Sequence, residues 1–270
     1  MAAETTSRWA LVLGASSGFG EACSLALAKS GWHIFGVHLD RKATQPNADR
    51  IVAEIASLGR KAEFFNVNAA DDGKRGEVVA AIARTCGEAP PESRVGVLLH
   101  SLAFGTLKPF FAESREASIS KPQLEMTLDV MANSLVYWTQ DLFFGGLLAP
   151  GARIFAMTSA GGHIVWPSYG AVSAAKAALE SYVRQLAVEL APRGIAVNAL
   201  RAGVTDTPAL RKIPGNERMI ERMSAMHPAG RLTTTPDVAG ALVALCGERA
   251  AWISGNVIGV DGAEDVAGGR

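Results

Sequence analysis

The sequence predicts an α/β protein: a doubly wound parallel sheet flanked by helices, in a single domain spanning residues 1–270. Three observations carry that reading. Short apolar runs alternate with segments of helical periodicity through the first hundred residues, the order expected of parallel strands joined by helical crossovers. The first run leads through a glycine-rich turn into a helical segment, and no repeat or low-complexity linker breaks the alternation. With 270 residues, 49% hydrophobic and 19% charged, the chain has ample apolar material for a large core. Its 26 basic and 26 acidic residues cancel, so no general attraction to nucleic acid or an anionic membrane is expected, and only a local basic site for a phosphate is left open. Cys23, Cys86 and Cys246 lack CxxC spacing and the five histidines do not cluster, which argues against a disulfide framework or a metal site. The first apolar run, residues 9–13, is too short for a signal core or a membrane span. The cytoplasm is the expected compartment.

Residues 9–13 (WALVL) read as a buried strand, followed by Gly14, Ser16, Ser17, Gly18, Phe19 and Gly20 and then a helix over 21–30. Glycines in the resulting GxxxGxG turn let backbone amides approach a diphosphate, and the helix N-terminus adds the positive end of its dipole. Such turns also arise from packing alone, but strand and helix flank this one, and the reading is a Rossmann-like dinucleotide site. Residues 33–39 form the second strand. A carboxylate at its end would bond ribose hydroxyls, whereas cations would accept a 2′-phosphate. Asp40 falls one residue beyond the expected place and Arg41 and Lys42 follow, so NADPH is expected in preference to NADH, although a solvated charged turn has the same composition. A helix over 47–58 and a third strand over 62–67 come next, with Asn66 and Val67 placed to flank an adenine. A helix over 73–86 leads to the fourth strand at 95–99. Ser101 and Leu102 lie just beyond it, where ligands sit in such sheets, and are candidates for cofactor contact; the apolar Phe104, Leu107 and Phe110 of the long connection that follows are candidates for a cofactor or substrate wall, although covering the sheet would use them equally.

Residues 124–144 read as one long helix with Asn133 amid apolar side chains, a polar group that needs partners and can hold a water or a carbonyl near an active site. Residues 151–158 form the fifth strand and deliver Ser159 at its carboxyl end. In the helical segment that follows, Tyr169, Ser173 and Lys176 stand at i, i+4 and i+7. These offsets amount to about 400° and 700°, so all three share one helix face. A surface helix can carry such residues by chance, and the rest of the chain has to decide. After a sixth strand over 195–200 come Gly203, Val204, Thr205 and Thr207, a glycine that permits close backbone approach to a nicotinamide and threonines available to phosphate or carboxamide. Residues 204–230, with Leu210 and Met223, read as a mobile helical lid over a substrate. A helix over 236–245 and a strand over 256–260 close the sheet.

Taken together, GASSGFG, Asn133, Ser159, Lys176 within SAAKAALE, VNALRAG and ISGNVIGVDG resemble the short-chain dehydrogenase/reductase family, in the expected order over residues 9–262. The chain departs from it at one informative place. The usual tyrosine lies four residues before the lysine, and here that position is Val172. Tyr169, seven before Lys176, has a spacing that resembles the enoyl-(acyl-carrier-protein) reductases, as does the segment His100 to Ala103; the classical GxxxGxG loop and the stretches AGVTDTPALRKIP and HPAGRLTTTPDVA resemble the NADPH-preferring type among them. Ser159 stands where many of those enzymes have a second tyrosine.

The resemblance implies hydride transfer from NAD(P)H to the β-carbon of a trans-2-enoyl thioester carried on acyl-carrier protein or coenzyme A. It implies that Tyr169 bonds the thioester oxygen, that Lys176 bonds the nicotinamide ribose and favours tyrosinate, and that Ser159 and Asn133 complete the polar site. Phe104, Leu210 and Met223 would line the substrate pocket, and a homotetramer is implied by the family alone. Two rivals stay open: a carbonyl or alcohol oxidoreductase of the same family, and an NAD(P)-binding protein without turnover.

Overall fold

The computed structural model describes residues 8–87 and 90–267; residues 1–7, part of the N-terminal stretch weighed above as a signal segment, lie outside them. Seven strands form one parallel sheet: β1 (Trp9–Leu13), β2 (His33–His38), β3 (Ala62–Asn66), β4 (Val95–His100), β5 (Leu148–Ser159), β6 (Ala196–Ala202) and β7 (Val257–Val260), in the order β3-β2-β1-β4-β5-β6-β7. The order reverses at β1, which pairs with both β2 and β4. In such sheets the crevice at that point, outside the carboxyl ends of the strands, receives ligands. Register brings those ends level: Leu13 pairs with Val37 and His100, and His100 with Ala156.

The strands read as unbroken apolar runs because both faces are covered. Alternate residues go opposite ways. Leu11, Leu13 and Leu98 pack with α3 (Asp72–Cys86), α5 (Ser134–Phe144) and α6 (Gly170–Leu190), whereas Ala10, Val12 and Leu99 pack with α1 (Gly18–Lys29), α2 (Gln45–Ser57) and α8 (Thr235–Leu245). Fully buried Trp138 anchors the first face, its indole N–H reaching the Ala69 carbonyl at 2.9 Å. Each full burial of a side chain of this kind contributes about 2–3 kcal/mol.

The single helix expected over 124–144 is interrupted. It is built as α4 (Lys121–Leu128), a π-helical turn (Asp129–Asn133) and α5. Thr127, Ser134 and Thr139 each turn a hydroxyl back onto the carbonyl four residues earlier, a pattern that competes with regular helical bonding and bends helices. The lid region holds a short turn (Leu210–Lys212) and α7 (Asn216–Met226), and a last short helix, α9 (Glu264–Ala267), follows β7. Among the described residues no helix is long and apolar enough to cross a membrane.

Candidate active site

The glycine turn is shaped by contacts that leave no room for side chains. Gly14 adopts φ 89°, and a Cβ there would collide with the Ser101 carbonyl; a Cβ on Gly20 would run into the Gly14 carbonyl. Ser17 is the extended N-cap of α1 and its hydroxyl makes no cap bond, so the hydroxyl and the first amides of the helix are left available to an anion. Thr207 lies against Gly18, and Leu102 against Gly14. Residues predicted from three separate stretches therefore meet at the switch point. Asn47 holds the turn from behind, its amide donating to the Ser16 carbonyl at 2.7 Å and to Glu21 at 2.9 Å, with Arg50 also paired to Glu21.

The end of β2 carries the charged residues from which a cofactor preference is drawn. Asp40 is the residue that turns toward the glycine loop: its carboxylate is 2.8 Å from the His38 ring. Burial pushes its carboxyl up, but the hydroxyls of Ser16 and Thr44 and the His38 ring outweigh that and hold it below the usual carboxylate range. Arg41 and Lys42 are exposed. Asn66 serves Asp40, accepting from its backbone N–H at 2.9 Å and donating to its carbonyl at 3.0 Å. It is thereby committed to the turn, and its expected role beside an adenine gives way to that of a brace.

Tyr169 is the N-cap of α6, and its ring reaches back over the end of β5. Gly161 makes this possible, because a Cβ there would collide with the Tyr169 ring and lie 3.2 Å from the Ser159 Oγ. Ser168, just before it, is held in the left-handed region at φ 61°. Burial pushes the Tyr169 hydroxyl above the ordinary phenol value, and the neighbouring Ser159 hydroxyl draws it part of the way back. Ser159 Oγ is buried without a well-formed protein hydrogen bond. A phenol and a hydroxyl with free bonding capacity thus converge at the carboxyl end of β5.

Lys176 is buried two turns further along and donates to the Met157 carbonyl at 2.7 Å. Burial lowers its pKa to about 8 against the opposing pull of Glu180, whose carboxylate accepts from Thr158 at 2.6 Å. Its ammonium is held by the Met157 carbonyl near Glu180, and burial makes Tyr169 a more reluctant acid than a free phenol. Val172, at the position four before Lys176, is a core side chain.

Other expected residues are placed elsewhere. The Asn133 carboxamide accepts from Tyr182 at 2.9 Å and faces Asp129, with Glu125, Met126 and Leu128 around it. Among the described residues its hydrogen bonds go to Tyr182 and Asp129 and none to Ser159, Tyr169 or Lys176, so the structure gives it a structural role in place of the expected catalytic one. At Gly203 the space is taken by Thr233 and Glu264, the Val204 N–H is bound to Glu264 at 3.0 Å, and the Thr205 hydroxyl returns to the Gly203 carbonyl at 3.0 Å. Backbone approach to a nicotinamide at Gly203 and Val204 therefore gives way to internal packing by a carboxylate about sixty residues further on, which no local motif announced. Thr207 also caps the Leu210 N–H at 3.2 Å. Val67 packs on the core, Phe104 is exposed, and Leu210 and Met223 are half-buried. Phe110 lies against Gly170, beside Tyr169, and Trp166 donates to the Pro214 carbonyl at 3.4 Å, tying the Ser159–Tyr169 connection to the segment before α7.

A family model described as enoyl-(acyl carrier protein) reductase matches residues 14–263. The 1-cyclohexenylcarbonyl-CoA reductase of Streptomyces collinus is 30% identical over 254 residues, covering 93% of this chain and 85% of that protein. The enoyl-(acyl-carrier-protein) reductase (NADH) FabI of Aquifex aeolicus is 30% identical over 172 residues, 64% of this chain and 63% of that protein. Among solved structures, the promiscuous reductase LugOII, which catalyses keto-reduction at C1 during lugdunomycin biosynthesis, is similar at TM-score 0.81 and 26% identity, over 97% of this chain and 98% of that one.

Proposed function

The chain belongs to the short-chain dehydrogenase/reductase family and is a nicotinamide-dependent oxidoreductase, and from that premise we propose that it reduces the carbon–carbon double bond of a trans-2-enoyl thioester. One observation carries this reading. The phenol beside Ser159 is Tyr169, while the position four before Lys176 is the buried side chain of Val172, so the proton-donating group comes from the earlier site.

Ser17 and the α1 N-terminus would hold the cofactor diphosphate, Asp40 the adenosine ribose and Lys176 the nicotinamide ribose. One Lys176 N–H is used by Met157, and an ammonium has two more. The bound cofactor supplies the hydride. Tyr169 would donate a hydrogen bond to the thioester oxygen as negative charge develops on it, a contribution that grows in the transition state, and the α-carbon would then take its proton from water. A phenol held above its ordinary pKa keeps its proton for that bond. Asp40, anionic and turned toward the ribose edge, supports NADH over NADPH, because a 2′-phosphate would meet its charge; this reverses the expectation drawn from Arg41 and Lys42.

The 204–230 segment acts as the lid, with Met219, Met223 and Met226 of α7 presenting a half-buried stripe, and Phe104 and Phe110 form the apolar mouth. The acyl group arrives on acyl-carrier protein or coenzyme A, and the enzyme works in the cytoplasm as a homotetramer.

Ketoreduction is a second reading, favoured by one observation: the unpartnered Ser159 Oγ beside Tyr169 can bond a carbonyl oxygen that is itself being reduced. The deciding experiment follows NADH and NADPH consumption with a medium-chain trans-2-enoyl thioester and, in parallel, the matched β-ketoacyl thioester. Turnover of the enoyl compound alone is expected; turnover of the keto compound alone would replace the first reading with the second.

A further inference from the structure

His100 ends β4 at the centre of the sheet, between Leu13 and Ala156. Two residues after Leu98, it points to the same face, toward α5 and α6. It is fully buried, and the Tyr–Lys chemistry gives it no task. Its Nε2 is 2.8 Å from the Ser134 hydroxyl, which itself donates to the Val130 carbonyl at 2.8 Å. With its proton used, Ser134 can only accept, so the hydrogen of the imidazole is on Nε2 and Nδ1 presents a lone pair. That Nδ1 is buried without a partner.

We propose that His100 is a positioning residue for Lys176: its Nδ1 accepts a hydrogen bond from the Lys176 ammonium through one buried water, and Ser134 fixes the tautomer that leaves this lone pair free. The ammonium donates to the carbonyl of Met157, the neighbour of the residue that pairs with His100 in the sheet. Burial, and secondarily the nearby Lys176 charge, lowers the His100 pKa to about 3, so the ring remains an acceptor throughout the working pH range. The ionisable groups facing the ammonium are then Glu180 from α6 and His100 from β4. A hydrogen bond to the charged form favours that form, and His100 thus keeps Lys176 protonated and turned toward the ribose site despite its burial.

The inference rests on Lys176 being the lysine of the proposed site, and its test does not need the substrate. Protein labelled with ε-13C-lysine is titrated by NMR without cofactor, the Lys176 signal being identified by its loss in Lys176→Met. His100→Leu, which removes the acceptor, is expected to lower the Lys176 midpoint by about one pH unit. Ser134→Ala, which frees the tautomer, shifts it in the same direction, and His100→Asn, whose side-chain oxygen can replace Nδ1, restores it. The basic limb of NADH affinity moves in parallel. If His100→Leu does not fold, Ser134→Ala, a loss of one oxygen, carries the test. Midpoints unchanged in the folded variants overturn the proposal. A moved midpoint in a protein that ignores enoyl thioesters leaves this inference standing and removes the functional one.

Discussion

Tyr169 and Lys176 carry opposite burdens of burial, and each makes a prediction. Tyr169→Phe keeps the ring packed over Gly161 and removes only the hydroxyl. Turnover of the enoyl thioester should fall by about 10²–10⁴ with NADH affinity unchanged, as steady-state kinetics and fluorescence titration would show; full activity would take Tyr169 out of the chemistry. Lys176 is an ammonium placed where its charged form is disfavoured. Between pH 8 and 10.5 the unfolded chain holds a proton that the folded one has released, so stability rises with pH across that window and the cost of burial is felt in full below it. Lys176→Met should therefore be more stable than the parent by up to about 3 kcal/mol at pH 7, with the gap narrowing by pH 10 in urea titrations, while turnover is lost. Equal gaps at both pH values would mean that the lysine is not the source. Gly161→Ala addresses the same site through shape: the added methyl displaces the Tyr169 ring, and turnover should drop at least about tenfold while the far-UV spectrum is retained.

At the scale of elements, the turn after β2 shows what bears on cofactor preference beyond the linear chain. Counting along the sequence placed Asp40 one residue too far and gave weight to Arg41 and Lys42. In the fold, Asn66 at the end of β3 clamps the Asp40 backbone on both sides, and that cross-strand brace turns the carboxylate inward. Asp40→Asn should raise the NADPH to NADH ratio of kcat/KM by about tenfold or more, the size of a one-charge repulsion in a partly buried site; an unchanged ratio would return the preference to the cations. The π-helical turn before α5 is a second such case. The periodicity over 124–144 is helical throughout, and nothing in it marks the extra residue that precedes Ser134 and its bond to His100.

For the molecule as a whole, His100 ties acid stability to the site. Its ring resists protonation down to about pH 3 in the fold and accepts a proton near 6.5 when unfolded. The unfolded state thus binds more protons as pH falls through that interval, and stability is lost progressively from about pH 6.5 toward 3, by up to about 5 kcal/mol. His100→Asn should flatten that slope between pH 7 and 4 in denaturant titrations, whatever its stability at neutral pH. A parallel slope in the variant would assign the acid sensitivity to other groups.

The strand runs, the GxxxGxG turn and the Tyr169–Lys176 spacing were legible in the chain because each rests on local physics: apolar periodicity, backbone freedom at glycine, and the pitch of one helix. The parallel direction of the strands follows from the same alternation, and every predicted strand lies within a few residues of an observed one. What the linear order withheld was decided by contacts between distant segments. Asn133 looked catalytic until Tyr182, from another helix, took its carboxamide. Gly203 and Val204 looked like cofactor contacts until Glu264 filled that space. Asp40 looked misplaced until Asn66 turned it. A polar side chain has few hydrogen bonds to give, and which partner claims them depends on what the fold brings within about 3 Å, a distance that sequence spacing does not encode.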